Sequence, residues 1–238
     1  MPCVASAVGI EASVGVWNQD PRGFLSYQGV SAADNLSIEN DLRYGDEARV
    51  FGRVKIDMPL FFPNVYLMAT PMEFDGSGSK NVPFSFGGQT FNANVPFNSK
   101  LRLDHYDVGL FYSLPFLKTA TADVLNIELG IDARFIDLDA EISQAGVGTS
   151  ESFFLPLPMA YGGVQLRPLK WLAVEGEIRV SAYRDDYYCD AIGRVKFKPF
   201  GPLFIAGGYR YEKIDVDEDD LKVDVEVRGP FGEAGVEF

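Results

Sequence analysis

The chain has 238 residues, the size of one domain, and a net charge of −13, with 34 Asp and Glu against 21 Lys and Arg. That balance excludes nucleic-acid binding, which needs clustered Lys and Arg, and suits a cell-surface protein whose loops attract cations. No apolar run approaches the roughly 18 residues of a helical membrane span; the near-zero mean hydropathy still permits a transmembrane barrel, where lipid-facing and lumen-facing residues alternate.

At the start, Ala5-Ser6-Ala7 is a small-x-small sequence of the signal-peptidase kind. Residues 1–7 therefore read as a signal-peptide remnant, and 8–238 as a single barrel domain. Cys3 and Cys189 fall at opposite ends of the strand pattern described next, too far apart for a disulfide.

From Val8 onward the governing signal is period two. Val8, Ile10, Ala12, Val14 and Val16 alternate with Gly9, Glu11, Ser13 and Gly15. Val50, Gly52, Val54, Ile56 and Met58 oppose Arg49, Arg53, Lys55 and Asp57. Leu125, Ile127, Leu129, Ile131, Ala133 and Phe135 oppose Asn126, Glu128, Asp132 and Arg134. Leu172, Val174, Ile178 and Val180 oppose Glu175, Glu177 and Arg179. Ala191, Gly193, Val195 and Phe197 oppose Asp190, Arg194, Lys196 and Lys198, and Leu203, Ile205, Gly207, Tyr209 and Tyr211 oppose Arg210 and Glu212. Weaker members at 64–74, 97–114, 152–166 and 222–238 bring the total to about ten strands, with no helical pattern between them.

Alternation alone does not separate a membrane barrel from a soluble sandwich; three further features do. Alternate links are short and Pro-bearing (58–64, 114–118, 167–170, 199–202), while those between are longer and polar (18–46, 75–96, 140–151, 184–189, 216–221). Short periplasmic turns opposite longer extracellular loops are the barrel arrangement. Phe61, Phe62, Phe116, Trp171, Phe197, Phe200 and Phe204 cluster at the short-turn end, and Trp17, Tyr106, Tyr183, Tyr187, Tyr188, Tyr209 and Tyr211 nearer the loops. Two such girdles mark the membrane interfaces. Finally, Phe238 with Val236 and Ala234 at alternate positions has the form of a terminal strand carrying a membrane-insertion signal. The fold expected is a closed antiparallel transmembrane β-barrel in the outer membrane of a Gram-negative bacterium.

Glu11-Ala-Ser-Val-Gly-Val-Trp-Asn-Gln-Asp20, Pro63-Asn-Val-Tyr-Leu67 with Pro71-Met72, Phe86-Gly-Gly-Gln-Thr-Phe91, His105-Tyr-Asp107 and the Phe-terminated end carry a resemblance. The chain resembles the small outer-membrane β-barrel proteins with a Gly-Gly motif, relatives of OmpW-like barrels. The resemblance implies the fold, contact with outer-membrane lipid and lipopolysaccharide, and recognition of the terminal strand by barrel-assembly machinery. It implies neither a chemical activity nor a cofactor.

With the apolar face toward lipid, the lumen is expected to hold Glu11, Arg49, Arg53, Lys55, Glu128, Asp132, Arg134, Glu175, Glu177, Arg179, Arg194, Lys196, Arg210, Glu212, Glu226 and Arg228. Confined charges must pair or hydrate, so they form either an ion-pair plug or a narrow polar conduit. His105, the single histidine, lies between Asp104 and Asp107. No second carboxylate pair accompanies it, as water activation in a barrel protease requires, and it reads as a hydrogen-bonded structural residue. Asp215-Val-Asp-Glu-Asp-Asp220 lacks the Gly and distal Glu of a calcium loop and reads as a solvated loop, while the Gly pairs at 87, 162 and 207 read as turn or packing glycines. The leading functional expectation is a narrow non-catalytic channel for small solutes, without metal or cofactor; the alternative is a non-conducting scaffold, adhesin or partner anchor.

Overall fold

The computed structural model describes residues 8–29, 31–59, 61–183, 186–218 and 221–238. The expected remnant 1–7, with Cys3, lies outside them, as does part of the 215–220 loop.

The strands in chain order are β1 (Gly9–Tyr27), the two-residue β2 (Leu36–Ser37), β3 (Glu47–Asp57), β4 (Asn64–Thr70) and β5 (Glu73–Gly78). A small hairpin follows, β6 (Phe84–Phe86) with β7 (Gln89–Phe91), and then β8 (Phe97–Ser113). After the one-turn helix α1 (Pro115–Ala120) come β9 (Leu125–Gln144), β10 (Val147–Leu169), β11 (Leu172–Tyr183), β12 (Asp186–Phe200), β13 (Leu203–Glu218) and β14 (Leu221–Glu237). Each wall strand pairs antiparallel with its neighbours, and β14 pairs back onto β1. Ile10 and Phe238 exchange backbone hydrogen bonds at the seam, at 3.3 and 2.9 Å. Since β4 and β5 lie end to end along β8, broken at Pro71-Met72, and β2 is an appendage, the wall is a closed barrel of ten strands.

The outward side chains between the short turns and the middle of the strands are apolar and exposed. On β9 they run from Leu125 to Phe135, with Leu129 at 55% and Ile131 at 68% exposure. This is the roughly 9–11 residues with which a tilted strand crosses a bilayer.

Above that band the polarity of the two faces inverts without any change of register. On β9, Ile136, Leu138, Ala140 and Ile142 turn inward while Asp137, Asp139 and Glu141 turn outward. On β8, Leu101 and Leu103 are buried beside outward Arg102 and Asp104; on β14, Val225 and Val227 are buried beside outward Glu226 and Arg228. Half of β9 and β10 therefore stands outside the bilayer as a second storey, polar outside and apolar inside. Its outer face carries ion pairs such as Arg102–Asp137 at 3.2 Å and Arg228–Glu226 at 3.0 Å. There Asp139 is held below the ordinary carboxylate range by the Ser152 hydroxyl and then by Arg102.

Several expected loops are thus strands. The 140–151 link is the tip of a long hairpin, 186–189 belongs to β12, 216–218 to β13 and Leu221 to β14, and the 18–46 link begins only after Tyr27. The remainder of 18–46 completes the upper wall: β2 pairs with β1, and Leu36, Ile38 and Leu42 are buried. The β6–β7 hairpin folds into the mouth, where Phe84 packs on Phe91 and Phe97 at centroid distances of 5.1 and 5.2 Å. Its turn, Gly87-Gly88, has φ of 55° and 72°, the paired positive values that a hairpin's twist favours and that a side chain resists. Gln144 anchors the following segment, accepting from the Asn92 amide at 2.7 Å and donating to the Asn92 and Val95 carbonyls.

The girdles need a correction. Phe61, Phe62, Phe116, Trp171, Phe197 and Phe200 are exposed at the short-turn end, and Tyr106, Tyr187 and Tyr209 at the other. Trp17, Tyr188 and Phe204 instead point inward and are buried. All three lie on the same face as lumen charges, against which their rings pack.

Candidate functional site

The lumen within the membrane band is filled by charged side chains in three linked groups. At the short-turn end, Lys196 contacts Glu11, Glu175 and Glu237, each at 2.8 Å. Arg194, one inward position higher on β12, reaches Glu11 at 2.6 Å and also pairs with Glu175 and Glu233. At mid-height, Arg53 contacts Glu233 at 2.8 Å and Glu177 at 3.3 Å, while Lys55 contacts Glu177 at 2.8 Å and Glu128 at 3.0 Å. The residue opposite Glu128 on β10 is Gly163, where a Cβ would come within 2.8 Å of the Glu128 carboxylate, so a larger residue would have to displace that carboxylate.

The uppermost group is the densest. Arg134 grips Asp107 with two parallel hydrogen bonds, 2.6 and 3.0 Å, the strong bidentate arrangement of guanidinium and carboxylate. It also donates to Asp190 at 2.5 Å, the Tyr188 hydroxyl at 2.8 Å and Glu212 at 3.2 Å. Arg210 contacts Asp190 at 2.8 Å and Glu212 at 3.1 Å, and its guanidinium lies 4.6 Å from the Trp17 ring. Arg179 contacts Glu177 at 3.3 Å and Asp190 at 3.7 Å and lies 4.3 Å over the Tyr66 ring. The Asp132 carboxylate lies 3.9 Å from Arg179, beyond hydrogen-bond distance.

Arg134, Arg179 and Asp190 have no exposure at all, and Arg210 has 2%. The void between Trp17, Arg53, Arg210 and Phe231 measures about 10 Å³, at the lower limit for one water. The charges bridge every side of the barrel, with partners up to 185 positions apart in sequence. Isolated ions here would face a large desolvation cost; mutual pairing and hydrogen bonding offset it.

Of the candidate residues, Glu11, Arg53, Lys55, Glu128, Asp132, Arg134, Glu175, Glu177, Arg179, Arg194, Lys196, Arg210 and Glu212 all lie in this cluster. Arg49 does not. It sits half-exposed where β3 and β5 lack strand pairing, donating to the Glu73 carbonyl at 2.8 Å and lying near Glu47 and Glu73. Glu226 and Arg228 face outward above the membrane, because the inversion exchanges which face is polar on β14. Asp107, Asp190, Glu233 and Glu237 complete the network without having been among the candidates. Asp190 opposite Ala191, and Glu233 opposite Ala234, carry the alternation that could have marked them. Phe238 is exposed beside Ile10.

His105 is 1% exposed. Its Nδ1 lies 3.2 Å from the Leu103 carbonyl and its Nε2 3.1 Å from Arg210 Nη2. Arginine only donates, so Nε2 accepts and the proton sits on Nδ1. The imidazole is a buried linker within the ion network.

No protein-family model matches the chain, and no curated protein matches it. Among solved structures, the outer membrane protease OmpT from Escherichia coli matches with a TM-score of 0.56 at 10% identity, covering 100% of this chain and 98% of that one. The translocator domain of the autotransporter NalP from Neisseria meningitidis gives 0.49 at 10% identity over 99% and 90% of the two chains. Ail, the attachment invasion locus protein of Yersinia pestis, gives 0.42 at 10% identity over 97% and 99%. At such identity the likeness to OmpT shows the fold alone. That fold, with the apolar band, makes the protein an outer-membrane β-barrel of the Gram-negative type.

Proposed function

We propose that the protein is a non-conducting outer-membrane barrel, an anchor that holds its second storey outside the cell as a scaffold or attachment surface. The observation that carries this reading is the sealed lumen: among the described residues every lumen Arg is at most 3% exposed, and each contacts carboxylates. A conduit lined by the same groups needs them hydrated and apart. Catalysis is disfavoured by the burial of His105 and by its commitment to Leu103 and Arg210. The protease named among the structural neighbours lends its fold to this argument and nothing of its activity. Outer-membrane lipid with lipopolysaccharide around the band, and assembly machinery acting on the Phe238 strand, are the partners this reading calls for. Within the class, the stretches Glu11–Asp20 and Phe86–Phe91 support kinship with the small OmpW-like Gly-Gly barrels.

The test is solute release from lipid vesicles containing the refolded protein. Retention of small sugars and amino acids, matching empty vesicles, is the expected result. Rapid release of any of them would restore the channel reading.

A further inference from the structure

Above the plug the mouth is only partly filled, and the residual space has a definite chemistry. A slot of about 30 Å³ lies between two wall sectors, Leu25, Val223 and Val225 on one side and Leu103, Leu138 and Phe153 on the other, with Phe86 from the inserted hairpin closing one flank. Of its lining residues Glu151 alone carries a charge, and among the described residues it has no ion-pair partner. Phe153 and, on the same inward face, Leu155 are 38% and 50% exposed, so the approach to the slot is apolar and open to the outside.

Size restricts the occupant. An apolar cavity that takes a benzene ring measures on the order of 150 Å³; 30 Å³ admits the end of one unbranched alkyl chain and no ring. Charge restricts it further. The cations of the surrounding strands stand on the outer face and are engaged there, Arg102 with Asp137 and Asp139, Lys213 with Asp224, and Lys222 with Asp217. Glu151, inward opposite Ala140, is left facing the slot as its one charge. An anionic head group meets the Glu151 carboxylate there, whereas an ammonium finds in it an unpaired partner at the end of an apolar slot.

We propose that the extracellular mouth binds the end of an aliphatic chain that carries a positive charge, an alkylammonium in its simplest form, with the chain between Leu138 and Val223 and the charge at Glu151. The floor below is the ion plug, so the slot holds its ligand and does not pass it on.

The experiment is calorimetric titration of the full chain, refolded in lipid nanodiscs, with n-hexylammonium, n-hexanol and n-hexanoate, empty nanodiscs serving as the blank. Hexylammonium should bind about fivefold more tightly than hexanol, the scale of one partly exposed ion pair, and hexanoate should bind most weakly. Glu151→Gln should bring hexylammonium down to the level of hexanol. Val223→Trp, checked for folding by its gel migration, should abolish binding of both. Equal affinities for the three ligands would overturn the charge assignment; hexylammonium binding undiminished in Val223→Trp, or no heat above the blank, would overturn the site. Binding is read without a transmembrane gradient, so failure here leaves the closed-lumen reading standing and release of solutes leaves this one standing.

Discussion

Replacing Arg134 by Ala removes the group on which the upper part of the plug converges. Asp107 loses both arms of a bidentate pair, and Asp190 and Glu212 each lose a cation, at 2.5 and 3.2 Å. Arg210 remains to serve Asp190 and Glu212, but no other cation lies within 4 Å of Asp107 among the described residues apart from Arg134 itself. An unpaired carboxylate in a fully buried site costs about 3–5 kcal/mol. The double change Arg134→Ala with Asp107→Ala removes both charges and should recover a large part of that loss, since paired deletion is far milder than deletion of one partner. Equilibrium urea unfolding of the barrel in lipid vesicles, followed by Trp fluorescence, measures both. A loss below about 1 kcal/mol for Arg134→Ala, of the size seen for exposed pairs, would refute the argument that these charges share a dry interior.

Other expectations follow from the two storeys. Leu129→Arg places a charge in the lipid band and should cost about 2–4 kcal/mol, whereas Glu141→Arg, outward on the same strand above the band, should stay within about 0.5 kcal/mol; similar effects in the same unfolding assay would put the membrane boundary elsewhere. Through the membrane band every wall strand is paired on both sides, so the folded protein should migrate differently on gels before and after boiling. Identical migration of a sample shown to be folded contradicts closure. Because the Asp139 carboxyl is held below its ordinary value, its stabilisation of the β9–β10 tip is present above the ordinary carboxylate range and is lost as pH falls through the lowered value. Amide protection factors at that tip, corrected for the intrinsic pH dependence of exchange, should therefore fall on acidification, and Ser152→Ala should shrink that fall; an unchanged profile in the variant assigns the shift to another group.

The membrane-spanning half of the molecule was legible in the sequence because alternation there is continuous and its two faces differ strongly. Leu125–Phe135 against Asn126–Arg134 is the plainest case, and the lumen side of that pattern names most of the plug. The second storey was not legible, for the same physical reason. Where β9 passes from Arg134 and Phe135 to Ile136 and Asp137, the alternation persists with its meaning reversed, and a reader following lipid-facing apolar residues takes the change for the start of a loop. Glu226 and Arg228 were drawn into the lumen by that error. Trp17, Tyr188 and Phe204 were drawn into the girdles because an aromatic near the end of a span looks interfacial whichever way it points. Which carboxylate meets which cation was never available from spacing, since Arg53 and Glu233 are brought together only when β14 closes onto β1.

The central claim is that paired charges seal the lumen, and single-channel recording in planar lipid bilayers tests it most directly. Arg179 is the residue to remove, because it joins the middle and upper groups through Glu177 and Asp190. The native protein should show no resolved steps under voltage. Arg179→Ala should show small, cation-selective openings, because carboxylates then outnumber the remaining cations still further. Steady openings of the native barrel, with a conductance that Arg179→Ala leaves unchanged, would contradict the account.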